Sequence, residues 1–340
     1  MHSEAYCTLF DSRYFSRGVA MCESLKRHAP GARIYLFAFD EVCEKAAAAL
    51  RLPGVTVIPL RELEDEALRA ARQNRGWVEY LWTCTPATIR HVLDRLGESA
   101  CTYVDADVYF YASPQPLHDE LAGHDVMITE HRYSPAHDST ATSGIYNVQF
   151  MPFHNTPRGR AVLEWWRSAC LESCELNPAE GKCGDQKYLD DWPTRFRGVR
   201  VLQHLGGGVA PWNVQQYRFE QHDARVRGKE IATGREFDLV FYHFHAFKVT
   251  DQGMVRPTNP GYPLGTDVVE LVYRPYVRHL VDVGKRVRAS GMNFDPHGLL
   301  AEPALGLRNR IVQTARNAVS HFKSDVPVGN RAYRLKDLAR

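Results

Sequence analysis

Two aspartates, Asp105 and Asp107, close the apolar run CTYV with a single alanine between them. Residues two apart on a strand point to the same side, and a turn at the strand's end lets both carboxylates converge on one divalent cation. Hard carboxylate oxygens suit Mg²⁺ or Mn²⁺. Such an ion neutralises charge building on a diphosphate leaving group and so eases its departure. Acidic pairs are also frequent in solvated turns, so the weight of this one depends on where the fold places it. His243 and His245 alternate in FYHFHAF and share one side if that run is extended, which makes them either nitrogen ligands for the same ion or hydrogen-bonded members of an aromatic layer. Asp191, in GDQKYLDDW, either approaches an acceptor hydroxyl or solvates a helix end. Cys170, Cys174 and Cys183 lack the paired spacing of a zinc site, and the eight cysteines read as reduced thiols.

These residues need a scaffold that gathers strand ends. YCTLF, ARIYLFAF and VTVIPL read as strands, separated by a helix over Gly18 to His28 and an alanine-rich helix in EVCEKAAAALRL, with Pro30-Gly31 and Pro53-Gly54 as breaks. Strand and helix alternating at this spacing predict an α/β layer with parallel strands. Leu63 to Ala71 and Ala87 to Leu96 predict two further helices, and ACTYVDADVYFY a strand carrying the acidic pair. HDVMIT, SGIYNVQFMPF and GVRVLQHL are further extended segments, and Thr156-Pro157 caps a helix through RGRAVLEWWRSACLESC. In open α/β sheets ligands collect outside the carboxyl ends of strands, where Asp105 and Asp107 are expected. Neither GxGxxG nor GxxxxGK[ST] is present, which favours a nucleotide held through a metal over one held by a glycine-rich loop.

Hydrophobic residues make up 44% of the 340, and charged residues 24%, which excludes a disordered chain. A formal charge of +2 gives no global attraction to nucleic acid. Charge is uneven: from Leu271 onward Lys and Arg outnumber Asp and Glu by 13 to 5. Residues 265 to 289 and 304 to 323 predict helices, so we expect a core domain over 1–264 and a basic helical extension over 265–340. That extension either packs on the core or makes peripheral contact with an anionic membrane. No leader-like opening and no long apolar span is evident, so the expected location is cytoplasmic, at the membrane's inner face only if the extension makes that peripheral contact.

Five segments in order, from CTLFDSRYFSRGVAMCESLKR through CTYVDADVYFY, SGIYNVQFMPF and GDQKYLDDW to HLGGGVAPWN, resemble the nucleotide-sugar-dependent glycosyltransferases of GT-A fold, particularly the glycogenin and lipopolysaccharide glucosyl- and galactosyltransferase group (family 8). The resemblance spans residues 6 to 213. It implies one mixed, mostly parallel sheet flanked by helices. By resemblance, Asp105 contacts ribose and metal, Asp107 is a direct ligand of Mn²⁺ (or Mg²⁺), and His204 completes the metal site. Thr8, Phe10 and Tyr14 line the base and ribose, while Asn147, Asp185 and Gln186 surround the transferred sugar. Gly207 permits a close turn at the phosphates and Trp212 braces that loop.

One position departs from the group's HxxGxxKPW pattern: Ala210 stands where the lysine is expected. Lys248, beyond the FYHFHAF run, is a candidate for the missing cation, since positive charge offsets that of a leaving diphosphate. The implied activity is metal-dependent transfer of a hexose from a UDP-sugar to a glycan or cell-envelope glycolipid acceptor, with retention of anomeric configuration. Ala210 keeps open a catalytically weak nucleotide-sugar-binding or assembly protein of the same fold.

Overall fold

The computed structural model describes residues 4–177, 180–301 and 333–339. Its centre is an eight-stranded sheet built from β1 (Ala5–Phe10), β2 (Arg33–Ala38), β3 (Val55–Pro59), β4 (Ala100–Val104), β6 (Val126–Glu130), β7 (Tyr146–Asn147), β8 (Phe150–His154) and an edge strand, Val199–Val201. A short strand, β5 (Val108–Phe110), lies outside it. The order is Val199–Val201, β6, β8, β4, β1, β2, β3, with β7 pairing β6. Pairs β1/β2, β1/β4, β2/β3 and the edge strand with β6 are parallel; β8 runs antiparallel to both neighbours. This is the mixed, mostly parallel α/β arrangement expected of a GT-A-like fold.

The sheet is buried on both faces, as parallel sheets are. Along β1, Ala5, Cys7 and Leu9 turn to one face, where helices Trp77–Arg95 and Pro157–Glu172 cover them. Tyr6 and Phe10 turn to the other, under α1 (Phe15–His28) and α2 (Glu41–Leu50). Gly18 lets α1 lie directly on β1: a Cβ there would come within 2.1 Å of the Phe10 ring.

Four expectations shift in detail. The run ACTYVDADVYFY breaks at the aspartates into β4 and β5, and β5 leaves the sheet to pair with Phe241–His243. The helix expected at Ala87 begins at Trp77 and runs through Pro86, forgoing one main-chain hydrogen bond because Tyr80, Cys84 and Ile89 are buried along it. Leu63 to Ala71 resolves into Leu60–Leu63 and Glu66–Arg72, the second capped by Asp65. GDQKYLDDW forms a short 3-10 helix, Lys187–Asp191, that leads into the single turn Trp192–Arg195 rather than one regular helix.

The start of the C-terminal extension is helical from Thr266 to Ala289, with a π turn over Val269–Tyr273 whose Val272 carbonyl accepts from the Tyr111 hydroxyl at 2.6 Å. Its apolar face shares one core with the remainder: Tyr273, Tyr276 and Leu280 pack with Tyr242 and Phe244. The Phe244 and Tyr276 rings stack at 3.7 Å. The helix expected over 304 to 323 lies outside the described residues. No helix among the described residues is long and apolar enough to cross a membrane.

Glu23 ties α1 to this extension, meeting His279 Nε2 at 2.7 Å and Arg286 Nη2 at 2.7 Å. Burial alone would raise its carboxyl, but the hydrogen bonds from His279 and Arg286 and the charge beside it outweigh that and pull it to about 2. A depressed carboxyl stabilises the fold above its unfolded pKa, and the contribution disappears as pH falls through the folded value. Glu23→Gln should therefore cost about 2 kcal/mol at pH 7. In urea titrations that gap should close as pH is lowered from about 4.5 towards 2.

Candidate functional site

The chain passes from β1 outward to β2 and β3, then returns to place β4 on the opposite side of β1. Strand order therefore reverses between β1 and β4, and the crevice beyond their carboxyl ends is where such sheets bind ligands. Asp105 follows β4 directly. Its N–H donates to Gln149 O at 3.1 Å and its carbonyl accepts from Val108 N–H at 3.2 Å, so residues 105–107 form a tight turn facing that crevice. β5 then pairs antiparallel with Phe241–His243, setting His243 opposite Val108. Two further main-chain bonds lock this register: Phe244 N–H to Asp107 O at 2.8 Å and His243 N–H to Val209 O at 2.9 Å.

The result is a cluster of Asp105, Asp107 and His243 whose ligand atoms all lie within 4.8 Å of one another. His243 Nε2 stands 3.1 Å from Asp107 Oδ1 and 3.9 Å from Asp105 Oδ2. Its other nitrogen, Nδ1, meets Gln149 Oε1 at 3.0 Å, and Trp212 packs edge-on against the ring at 5.3 Å. A carbonyl-type partner at Nδ1 takes the N–H there and leaves Nε2 to face the carboxylates, as a donor to Asp107 when the ring is protonated and as a lone pair for a cation when it is neutral. Burial pushes Asp105 up to about 6, His243 opposing and Asp107 adding to the rise, while Tyr103 donates to its Oδ1 at 2.9 Å. Asp107 moves the other way: burial opposes its ionisation, but the charge and hydrogen bond of His243 prevail, with smaller help from His245 and Arg17.

At the histidine, the sequence expectation is corrected. His243 stands beside the aspartates, whereas His204 turns away, its Nδ1 accepting from Gly206 N–H at 3.1 Å beside a surface cavity it shares with Arg27 and Tyr111. The HLGGG loop approaches the site by its far end, through Val209, because Gly208 takes a left-handed φ of +94°. Gly207 is likewise not the site-facing glycine. A Cβ on it would meet Leu202 at 2.7 Å and Leu117 at 3.0 Å, so its smallness serves core packing. Phe10 is 1% exposed with its ring against Phe15 and Gly18, which removes it from the lining of any pocket. Asp191 gives its carboxylate to Arg195 at 2.5 Å on the surface. Its neighbour Asp190 instead accepts from Ile145 N–H at 2.7 Å and holds the Gly144 turn.

Of the remaining residues, Asp185, Tyr14 and Trp212 are tied directly to the cluster. Asn147 donates to Gln186 Oε1 at 3.0 Å, and Gln186 donates to Ser143 O at 2.8 Å. Trp166 holds the Asp185 carbonyl at 2.9 Å, and burial, then the charge of Asp105, pushes the Asp185 carboxyl up to about 8. Tyr14 exposes 43% of its surface, yet its hydroxyl is desolvated and feels Asp107, Asp11 and Asp105, which raises its pKa. Thr8 is fully buried, and its Oγ1 has no hydrogen-bond partner. Trp212 braces the loop through Nε1 to His131 O at 2.9 Å. Lys248 is exposed at the start of a short hairpin strand and acts electrostatically on His245. Ala210 is completely buried, so no cation occupies that position.

Gln149 and Tyr103 were not foreseen in the sequence. Gln149 is two residues beyond Asn147, a spacing that hints at a shared side, but nothing in the sequence says that its partner is a histidine nearly a hundred positions later. Two carboxylates and one imidazole make a donor set that can hold a divalent cation, and three protein ligands leave positions for a substrate. Such a site is suited to metal-assisted chemistry on a charged leaving group.

No protein-family model matches the chain. It is similar to two Bacillus subtilis (strain 168) proteins, the uncharacterized proteins YfnF, 28% identical over 287 residues (82% of this chain and 93% of the relative), and YfnD, 28% identical over 279 residues (81% and 88%). Among solved structures it is similar to the galactosyltransferase LgtC in complex with donor and acceptor sugar analogs (13% identity, TM-score 0.49, 84% of this chain and 99% of that one). It is also similar to mouse xyloside xylosyltransferase 1 (13%, TM-score 0.44, 71% and 97%). At TM-scores below 0.5 these likenesses say nothing of what the chain does.

If Gln149 sets the histidine's tautomer, Gln149→Leu should weaken Mn²⁺ binding by about 10–100-fold while the fold survives. Electron paramagnetic titration of free Mn²⁺ measures this directly, and affinity within twofold of wild type would remove Gln149 from the role.

Proposed function

We propose that this protein is a metal-dependent glycosyltransferase that moves a hexose from a UDP-sugar to a hydroxyl of a glycan or glycolipid acceptor. The reading rests on one observation: Asp105, Asp107 and His243 converge at the strand-end crevice between β1 and β4. These three residues would hold Mn²⁺. When bound, the ion supplies positive charge to the diphosphate as its bond to the sugar breaks.

The chain's own residues perform the other tasks. Tyr14, with its exposed ring beside the aspartates, is placed to cover the base and ribose. Asn147 and Gln186, already joined by a hydrogen bond, present amides to sugar hydroxyls, and the buried Asp185 lies behind them. The hydrogen bonds that fix these amides before substrate arrives lower the ordering cost of binding. Retention of anomeric configuration belongs to this proposal, with the departing diphosphate available to take the acceptor proton on the same face.

Ala210 supports a second reading, a nucleotide-sugar-binding protein with little turnover, because its buried methyl leaves the phosphate side without the expected lysine. A panel of UDP-sugars with Mn²⁺ separates the two: UDP release that requires the metal supports the enzyme, and saturable binding without release supports the binder. In the same assays Asp107→Ala should keep its circular dichroism and lose more than about a hundredfold in kcat/KM, beyond the usual cost of an outer partner. Undiminished turnover and Mn²⁺ affinity in a folded variant would take Asp107 out of the site.

A further inference from the structure

Arg17, on the first turn of α1, is 4% exposed and forms no ion pair with a carboxylate among the described residues. A buried guanidinium without such a partner is costly unless its donors are satisfied elsewhere. Here they are spent on three stretches of chain. Nη1 donates to His297 O at 2.7 Å and to Arg13 O at 3.3 Å, and Nη2 donates to Phe247 O at 3.1 Å. The same guanidinium lies 4.6 Å from the Tyr14 ring centroid.

Each stretch matters to the site. Arg13 and Tyr14 belong to the loop after β1. Phe247 closes the turn that follows His243 and His245, through its N–H to Phe244 O at 3.1 Å, and that turn contains Ala246 at φ +59°. A non-glycine residue in the left-handed region persists only where its surroundings hold it. His297 lies in a segment far along the chain that is pressed onto α1: Ser16 N–H donates to Pro296 O at 2.8 Å, and His297 Nδ1 meets Ser16 Oγ at 2.9 Å. Gly298, at φ +60°, allows the closest approach, since a Cβ there would sit 2.4 Å from Arg13 O.

We infer that Arg17 is a positioning residue for the donor site, clamping the Tyr14 loop, the His243–Phe247 turn and the C-terminal segment 296–298 into one unit. In the UDP-sugar reading, on which this inference rests, the base-covering tyrosine and the histidine turn keep their spacing only while the C-terminal segment is seated. Planar, forked geometry is what the task requires, because one group must bond carbonyls in different directions; a lysine ammonium offers charge without that fork.

The test compares Arg17→Met, Arg17→Lys and Gly298→Ala with wild type, using hydrogen–deuterium exchange over 12–17, 243–249 and 292–301 and UDP affinity by calorimetry in Mn²⁺. Arg17→Met should lose protection in all three segments together and raise the UDP Kd at least tenfold. In turnover the donor KM should rise while kcat changes less than threefold, and Arg17→Lys should recover only part of the loss. Gly298→Ala, which alters no residue near the aspartates, should reproduce the loss of protection at 243–249. If Arg17→Met does not fold, Gly298→Ala decides alone: exchange confined to 292–301 overturns the clamp, and spread to 243–249 supports it. A folded Arg17→Met with UDP Kd within twofold of wild type also overturns it. Should wild type fail to bind UDP, the donor reading falls while the exchange pattern still decides the clamp.

Discussion

Two carboxylates held close together and largely out of water set the main constraint on this structure. With ligand atoms of Asp105, Asp107 and His243 all within 4.8 Å, like charges repel by about 3 kcal/mol or more at an effective dielectric near 20. Burial adds to that cost. The fold answers with positive charge brought from elsewhere in the chain: His243 at 3.1 Å from Asp107, with Arg17 acting from farther away. Without the antiparallel pairing of β5 with Phe241–His243, none of this compensation would be in reach. The pair can then ionise differently, Asp105 held up and Asp107 held down, in a cluster that could hold a cation.

Much of the scaffold is legible in the sequence because its signals are local. Strand β1 to β3 with the helices between them follow from short apolar runs broken by Pro-Gly pairs, and Thr156-Pro157 marks its helix through a cap that accepts from Gly159 N–H at 3.0 Å. The acidic pair is legible for the same reason: a strand's end and a spacing of two fix its side. What lies beyond local reach is which distant residue completes the cluster. His204, before the glycine run, and His243, in the aromatic run FYHFHAF, are both candidates, and only the ladder that sets His243 against Val108 distinguishes them. Gly207 and Gly208 are equally indistinguishable in GGG, yet one faces Leu202 and the other carries the left-handed turn.

The same reasoning explains why buried and surface residues changed places. By resemblance Phe10 lines the base and ribose, but it is the last position of β1, and period two turns its ring toward α1, where Gly18 leaves room for it. Tyr14 lies beyond the strand, past the turn capped by Asp11, and keeps its ring partly in solvent. Between Asp190 and Asp191 the local sequence offers no preference. The short 3-10 helix over Lys187–Asp191, rather than one regular helix, sends one carboxylate to the Gly144 loop and the other to Arg195.

Ala210 finds its physical context in the distribution of cations around the crevice. A lysine ammonium at that position would have to be buried, since the alanine is completely enclosed and its N–H is bonded to Asn213 Oδ1 at 2.9 Å. Burying an ammonium without a paired anion costs several kcal/mol, roughly, and shifts it toward neutrality. In this chain positive charge instead stands on residues whose fold pays for their burial by other means: His243 through Gln149 and Asp107, and Arg17 through three carbonyls. Lys248 lies exposed just beyond the histidine turn and acts electrostatically on His245. Positive charge around the aspartates is thus spread over a histidine turn and the element that clamps it. This ties whatever chemistry occurs there to the integrity of the β5 ladder and of the segment that closes over α1.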